Sequence, residues 1–245
     1  MYKYFSNLYD NFMEVDYEQW SNFIIDIIKK HYPSANLVLE LGCGTGNITT
    51  KLTSYEIIAL DSSTEMLMIA QEKAKKLAQD NILFINQDMR YFELYGTVDV
   101  CLCICDCLNY ITKDEEILNI FKLVKNYLNP GGLFIFDINT HYKFKEILAS
   151  NSFSYTEADS AIIWENFYDD ISKINEYYLT IFNKNENGSY NRYEETHFQK
   201  SYSIDTINKL LSEAGLVISK IYDNYTDQTQ TENTQRMVYV VKKLD

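Results

Sequence analysis

Proline and glycine are scarce: the 245 residues hold 2 prolines and 8 glycines. So few of either argues against a linker-rich multidomain layout, and a single α/β domain is an ordinary outcome at this length. Positive charge is also short, with 22 Lys and Arg against 35 Asp and Glu, a formal net charge of −13. A chain this acidic repels phosphate backbones, and no basic stripe offsets it. Lys73, Lys75 and Lys76 fall together, but among acidic and amide neighbours. No nucleic-acid partner is expected. The apolar runs are far shorter than the roughly 20 residues a spanning helix needs, so no membrane association is expected. No apolar core follows a basic start, so no signal peptide is expected. A soluble, cytoplasmic protein, monomer or homodimer, is the expectation.

Cysteine is confined to Cys43, Cys101, Cys103, Cys105 and Cys107, the last four alternating as C-x-C-x-C-x-C. Zinc sites usually use C-x-x-C pairs, often with histidine. Strand alternation would lay these four thiols along one sheet face, which cannot close around one ion. Small buried side chains are expected, with no metal. An odd number of thiols in a cytosolic chain also argues against structural disulfides.

What is present is organised around Val38-Leu39-Glu40-Leu41-Gly42-Cys43-Gly44-Thr45-Gly46. An apolar run ends in three glycines at alternate positions, and a helical pattern opens after them. A turn this sharp needs positive φ, and a ligand approaches backbone closely only where Cβ is absent. A helix starting there would point free N–H groups and its positive dipole end at the ligand. The stretch reads as a nucleotide or cofactor cradle at the end of a first strand.

Before it, the aromatic N-terminal segment, with Tyr4, Phe5, Tyr9, Phe12, Tyr17, Trp20 and Phe23 at helical spacing, predicts one helix to about Lys30, ended before Pro33. After it, the pattern predicts a helix to about Leu52, strands at 56–60, 82–87, 98–105 and 133–138, and helices at 64–78 and 114–128. Strand ends fall on Asp61, Asp88, Asp106 and Asn139. Open α/β sheets place ligands just beyond such ends. From about 150 the pattern changes to three Tyr-, Phe- and Thr-rich strands at 161–169, 174–183 and 189–202, with a hairpin signal at 185–189. A helix at 204–214, stopped by Gly215, and strands at 216–222 and 236–242 complete the chain; the polar stretch 223–235 reads as a mobile loop. The expected architecture is α/β: a Rossmann-like, mostly parallel seven-stranded sheet with helices on both faces, from residues 1–150 and 203–245. A small antiparallel insert, 151–202, is expected to form a wall or lid beside the ligand site at those strand ends.

The dinucleotide fingerprint G-x-G-x-x-G fails here, because its third glycine would fall on Asn47 or Thr49. The motif present is E-x-G-x-G-x-G. With Asp61 after the second strand, Gln87-Asp88-Met89 after the third, Asp99 opening the fourth and Asn129-Pro130-Gly131-Gly132 before the fifth, the chain resembles the class I S-adenosylmethionine-dependent methyltransferases. Cys105-Asp106-Cys107-Leu108-Asn109-Tyr110 resembles the small-molecule branch with an antiparallel insert. The resemblance implies S-adenosylmethionine as cofactor. Gly42, Gly44 and Gly46 would lie along its methionine portion, and Asp61, with Ser62 beside it, would accept from the ribose hydroxyls. Asp88 would accept from the adenine amine, Met89 and Met66 would pack on the ring, and Glu40 would hold the loop. Backbone at Cys105 and Asp106 would meet the cofactor amine, under a lid from Tyr9, Tyr17 and Trp20.

Methyl transfer from a sulfonium is an in-line displacement that needs alignment and, for a protonated nucleophile, a base. The expected catalytic candidates are His141, Asp106 and Tyr110, with His197 in the insert; His31 reads as structural. The acceptor is expected to be a small molecule methylated on N or O, and the acidic balance favours an amine. A nicotinamide-dependent oxidoreductase and a non-catalytic S-adenosylmethionine-binding protein are the alternatives.

Overall fold

A computed structural model describes residues 5–12 and 15–244, apart from the side chains of residues 7 and 11; Tyr4 lies outside the described residues. In chain order the first elements are α1 (Ser6–Phe12), α2 (Tyr17–His31), β1 (Leu37–Leu41), β2 (Glu56–Asp61), α3 (Thr64–Lys76), β3 (Ile82–Asn86) and β4 (Val98–Cys103). There follow α4 (Asp114–Tyr127), β5 (Leu128–Asn139), β6 (Ser152–Thr156), β7 (Ser160–Asp169), β8 (Ile174–Lys184), β9 (Tyr190–Lys200), α5 (Ile204–Ala214), β10 (Leu216–Asp223) and β11 (Arg236–Lys243).

Seven strands form one sheet in the order β10-β11-β5-β4-β1-β2-β3. β1 to β5 run parallel, while β11 pairs antiparallel with both β5 and β10. The central strands are apolar on both faces because helices cover both. Side chains alternate across the pleat, so Leu39, Leu41, Cys101 and Cys103 face a core closed by Ile117 and Phe121 of α4 and Leu211 of α5. Val38, Val100 and Leu102 face the opposite core, with Ile24 and Ile28 of α2 and Leu67 of α3. Each fully buried side chain of this kind contributes about 1.5–3 kcal/mol.

The second sheet, β6-β7-β8-β9, is antiparallel throughout. One face buries Ile162, Leu179 and Ile181 against Leu8 and Phe12 of α1 and Phe5 just before it. Among the described residues no helix is long and apolar enough to cross a membrane.

Local chemistry accounts for the departures from the sequence reading. The single N-terminal helix is two helices, because the Asp16 carboxylate caps α2 by accepting from Gln19 N at 2.9 Å. The helix expected after the glycines is only a 3-10 turn, Thr49–Lys51. Ile48, Thr49 and Thr50 are stiff β-branched residues, and Thr50 Oγ1 bonds back to Gly46 O at 2.8 Å. β4 stops at Cys103, so Cys105 and Cys107 do not share its face as the alternation implied. A fourth strand, β6, joins the insert. The stretch 223–235 holds buried Tyr225 and Thr234, so it is an anchored loop.

Candidate active site

The three glycines all have positive φ, but for different reasons. At Gly42 (φ +71°) a Cβ would meet Cys107 Sγ at 2.7 Å, so the loop passes too close to the segment after β4. At Gly46 (φ +78°) it would meet Ala70 Cβ at 3.1 Å, which is how the loop seats on α3. At Gly44 (φ +55°) it would stand in open space, with nothing within 4 Å. Gly42 N and Cys43 N donate to Leu60 O at 2.8 and 2.9 Å. Asp61, ending β2, uses both carboxylate oxygens: Gly44 N donates to Oδ2 at 2.9 Å and Ser63 N to Oδ1 at 2.8 Å. Ser63 then caps α3, its Oγ accepting from Met66 N at 3.2 Å. Beneath the loop Glu40 is buried and accepts from Thr49 Oγ1 at 2.6 Å. Burial pushes its carboxyl up to about 7.

Beyond this loop opens a cavity of about 250 Å3. Asp61, Ser62 and Asp88 supply its polar rim, Met66, Met89, Ile104 and Ile111 its apolar walls, and Tyr9 and Tyr17 its cover. Arg90 grips Asp88, donating from Nε at 3.0 Å to each oxygen and from Nη2 at 2.6 Å. That contact holds the Asp88 carboxyl below its ordinary value.

After β4, Cys105 and Asp106 are both left-handed (φ 64° and 51°), a conformation that costs a non-glycine residue about 1–3 kcal/mol. A buried network holds them there. Asp106 N donates to Asp137 Oδ1 at 2.6 Å. Arg236 bridges the two aspartates, with Nη2 donating to Asp106 Oδ1 at 2.7 Å and Nη1 to Asp137 Oδ2 at 2.8 Å. Gln199 Nε2 donates to Asp106 Oδ2 and Tyr225 Oη to Asp137 Oδ2, each at 2.6 Å. Trp20 stacks on Tyr225 at 4.1 Å and lies under the Arg236 guanidinium at 4.9 Å.

A second cavity, of about 90 Å3, lies between this network and the insert. Asp106, Asn139, Lys143 and Arg236 line one side, and Trp164, Tyr177, His197 and Gln199 the other. His197 is buried, with Nε2 3.1 Å from Glu195 Oε2. Tyr9, Cys105 and Tyr110 border both cavities. Burial pushes the Cys105 thiol up, so this cysteine presents a neutral side chain there.

Of the residues singled out in the sequence, Tyr9, Tyr17, Glu40, Gly42, Gly44, Asp61, Ser62, Met66, Asp88, Met89, Cys105 and Tyr110 line the first cavity. Asp106 lines the second. Three stand apart. Gly46 packs on α3 as described. Trp20 stands behind the wall, in the Arg236 network rather than over the cavity. His141 borders neither cavity. Its Nδ1 is 2.7 Å from Tyr168 Oη and its Nε2 3.5 Å from Asp170, because the chain turns after β5 into a π-helical segment, Lys143–Leu148, that brings Lys143 to the cavity. Arg90, Asp137, Lys143, Gln199 and Arg236 went unread. Arg90 follows the Asp88-Met89 signal directly; Arg236 and Gln199 arrive from distant strands and carry no local pattern.

Residues 34–215 match the family model described as a methyltransferase domain. A curated relative from Geobacillus sp. (strain WCH70), provisionally named a methyltransferase, is 31% identical over 99% of each chain. The crystal structure of an S-adenosylmethionine-dependent methyltransferase from Clostridium acetobutylicum ATCC 824 is 32% identical. It covers 100% of this chain and 99% of its own, with a TM-score of 0.90. The sugar N-methyltransferase KedS8 from Streptoalloteichus sp ATCC 53650 shares the fold at 15% identity, with a TM-score of 0.78 over 96% of this chain and 91% of its own. A glycine loop on the first strand of a mostly parallel sheet, with a carboxylate ending the second, is the framework of a methyltransferase. The chain belongs to the methyltransferase domain family.

Proposed function

We propose that the protein transfers a methyl group from S-adenosylmethionine to a nitrogen or oxygen of a small-molecule acceptor. The observation that carries this reading is the meeting of two unlike cavities at Tyr9, Cys105 and Tyr110. The larger fits the cofactor. The space left open at Gly44 allows a ligand to lie against the backbone, the Asp61 carboxylate suits a ribose, and Met66 and Met89 offer apolar faces for a purine. When bound, the cofactor supplies a sulfonium-activated methyl, so the protein need only align the acceptor and keep water out.

The chain's own residues divide that work. Arg236 and Asp137 fix the left-handed turn at Cys105 and Asp106, the shared border of the cavities. Asp106 has both carboxylate oxygens engaged, which suits positioning rather than proton transfer. His197, oriented by Glu195, is placed to take a proton from an acceptor that arrives protonated. The insert supplies the acceptor wall through Trp164, Tyr177 and Gln199. The sugar N-methyltransferase of the same fold gives nitrogen acceptors precedence in the search.

Calorimetry with S-adenosylhomocysteine tests the cofactor half. Wild type should bind, and Asp61→Ala should weaken binding at least about 100-fold through loss of charge-assisted hydrogen bonds worth about 1.5–3 kcal/mol each. Labelled-methyl transfer onto a metabolite extract tests the acceptor half. Absence of transfer to any small molecule, with cofactor bound, would overturn the small-molecule reading.

A further inference from the structure

The second cavity holds two cations in different situations. Arg236 has a carboxylate on each arm. Those aspartates accept further bonds within the network: Asp106 Oδ2 accepts from Gln199, and Asp137 accepts from Asp106 N and Tyr225. Lys143 has no such partner. Its Nζ donates one hydrogen bond, 3.0 Å to Asn139 Oδ1, and among the described residues no carboxylate lies within 4.0 Å of it. An ammonium carries three donors, so two have no hydrogen-bond partner among the described residues, and Lys143 lines the cavity. Burial and then the nearby Arg236 charge push its amine down to about 8, against the smaller opposing pull of Asp106 and Asp137, neither of which pairs with it directly. Leaving an ammonium this poorly compensated is costly unless something arrives to complete it.

We infer that Lys143 receives a carboxylate of the methyl acceptor, so that the substrates are small carboxylic acids. Two carboxylate oxygens match two free N–H groups, and a cavity of about 90 Å3 leaves room for a compact body against Trp164 and Tyr177. One free monocation fits a carboxylate better than a dianionic phosphate. The methylated atom lies at the other end of such a molecule, toward Tyr9, Cys105 and Tyr110, and an amine there is compatible with an acid at Lys143. This inference rests on the reading of the second cavity as the acceptor site.

Ligand-observed NMR titrations with benzoate, benzamide and benzylamine test it, with and without saturating S-adenosylhomocysteine. Benzoate should bind at least about tenfold more tightly than benzamide, and benzylamine more weakly than either; tenfold is the yield of one modest charge-assisted contact. Lys143→Met should erase the benzoate preference and Lys143→Arg should keep most of it. Lys143 lies outside the first cavity, so both variants should bind S-adenosylhomocysteine like wild type, which verifies folding. Equal affinity for the acid and the amide, no benzoate binding by wild type, a preference for benzylamine, or a preference that survives Lys143→Met would each overturn the inference. Failure of S-adenosylhomocysteine to bind, with the benzoate preference intact, would count against the cofactor reading; it would leave a carboxylate site at Lys143 and overturn its assignment to a methyl acceptor.

Discussion

Two glycines in one loop answer to different forces, and substitution separates them. Gly42→Ala places a methyl 2.7 Å from Cys107 Sγ at positive φ, so it should lower stability by several kcal/mol. Gly44→Ala meets nothing and costs only the backbone penalty, about 1–2 kcal/mol. Its methyl instead stands where the cofactor would lie, so S-adenosylhomocysteine affinity should fall about tenfold or more. Urea unfolding and calorimetry on the two variants should show these effects in opposite proportion. Glu40 makes a separate prediction about pH. Its carboxyl ionises at about 7 when folded, against an ordinary 4.5. The native state therefore holds a proton that the unfolded chain releases. The associated stability is fully present below about 4.5 and is lost as pH rises through about 7. The shift corresponds to about 3 kcal/mol at 1.36 kcal/mol per unit. Glu40→Gln should remove most of that pH dependence, so the variant should gain on wild type between pH 5 and pH 8 in paired denaturation curves.

At the scale of elements, Arg236 of β11 ties the segment after β4 to β5 and, through Trp20, to α2. Arg236→Met leaves Asp137, which is fully buried, without its cation. Breaking a buried pair in this way costs about 3–5 kcal/mol. The variant should lose that much in urea unfolding. It should also lose methyl transfer, because Cys105 and Asp106 are no longer held left-handed. This element is also where the sequence was hardest to read. β1 to β5 declare themselves by apolar runs, and the glycine loop, Asp61 and Asp88 lie next to those runs. Local signals place them. Arg236 and Gln199 reach Asp106 from 130 and 93 residues away, and no periodicity marks such contacts. Loop 223–235 reads as polar and loose, yet Tyr225 within it is pinned by Asp137 and Trp20. His141 shows the converse: a fitting residue type just past a strand end, turned away by the π-helical segment that follows.

Across the whole molecule, α1 spans the two sheets. Its apolar side packs Leu8 and Phe12 on the insert, with Phe5 just before it. Its polar side sends Asp10 to the glycine loop, where Oδ1 accepts from Thr45 Oγ1 at 2.6 Å and Asn47 Nδ2 at 2.8 Å. Lys73 of α3 pairs with Oδ2 at 2.8 Å. Burial works to raise the Asp10 carboxyl, but these contacts outweigh it and hold it below its ordinary value. One carboxylate thus joins the helix that carries Tyr9 to the loop that would cradle the cofactor. Asp10→Ala removes that tie while leaving the apolar packing of α1 intact. The main core does not depend on Asp10, so global unfolding should change by no more than about 1–2 kcal/mol, the cost of losing one partly exposed charged group. Hydrogen exchange in α1 should accelerate selectively, because its charged tie to the glycine loop and to α3 is lost. With Tyr9 held less firmly at the border of the two cavities, S-adenosylhomocysteine should bind about tenfold more weakly. The stabilisation of wild type by ligand, about 2.7 kcal/mol at one hundred times Kd, should shrink by about half at the same ligand concentration. Unchanged exchange in α1 alongside unchanged affinity would mean that contacts other than those of Asp10 seat this helix.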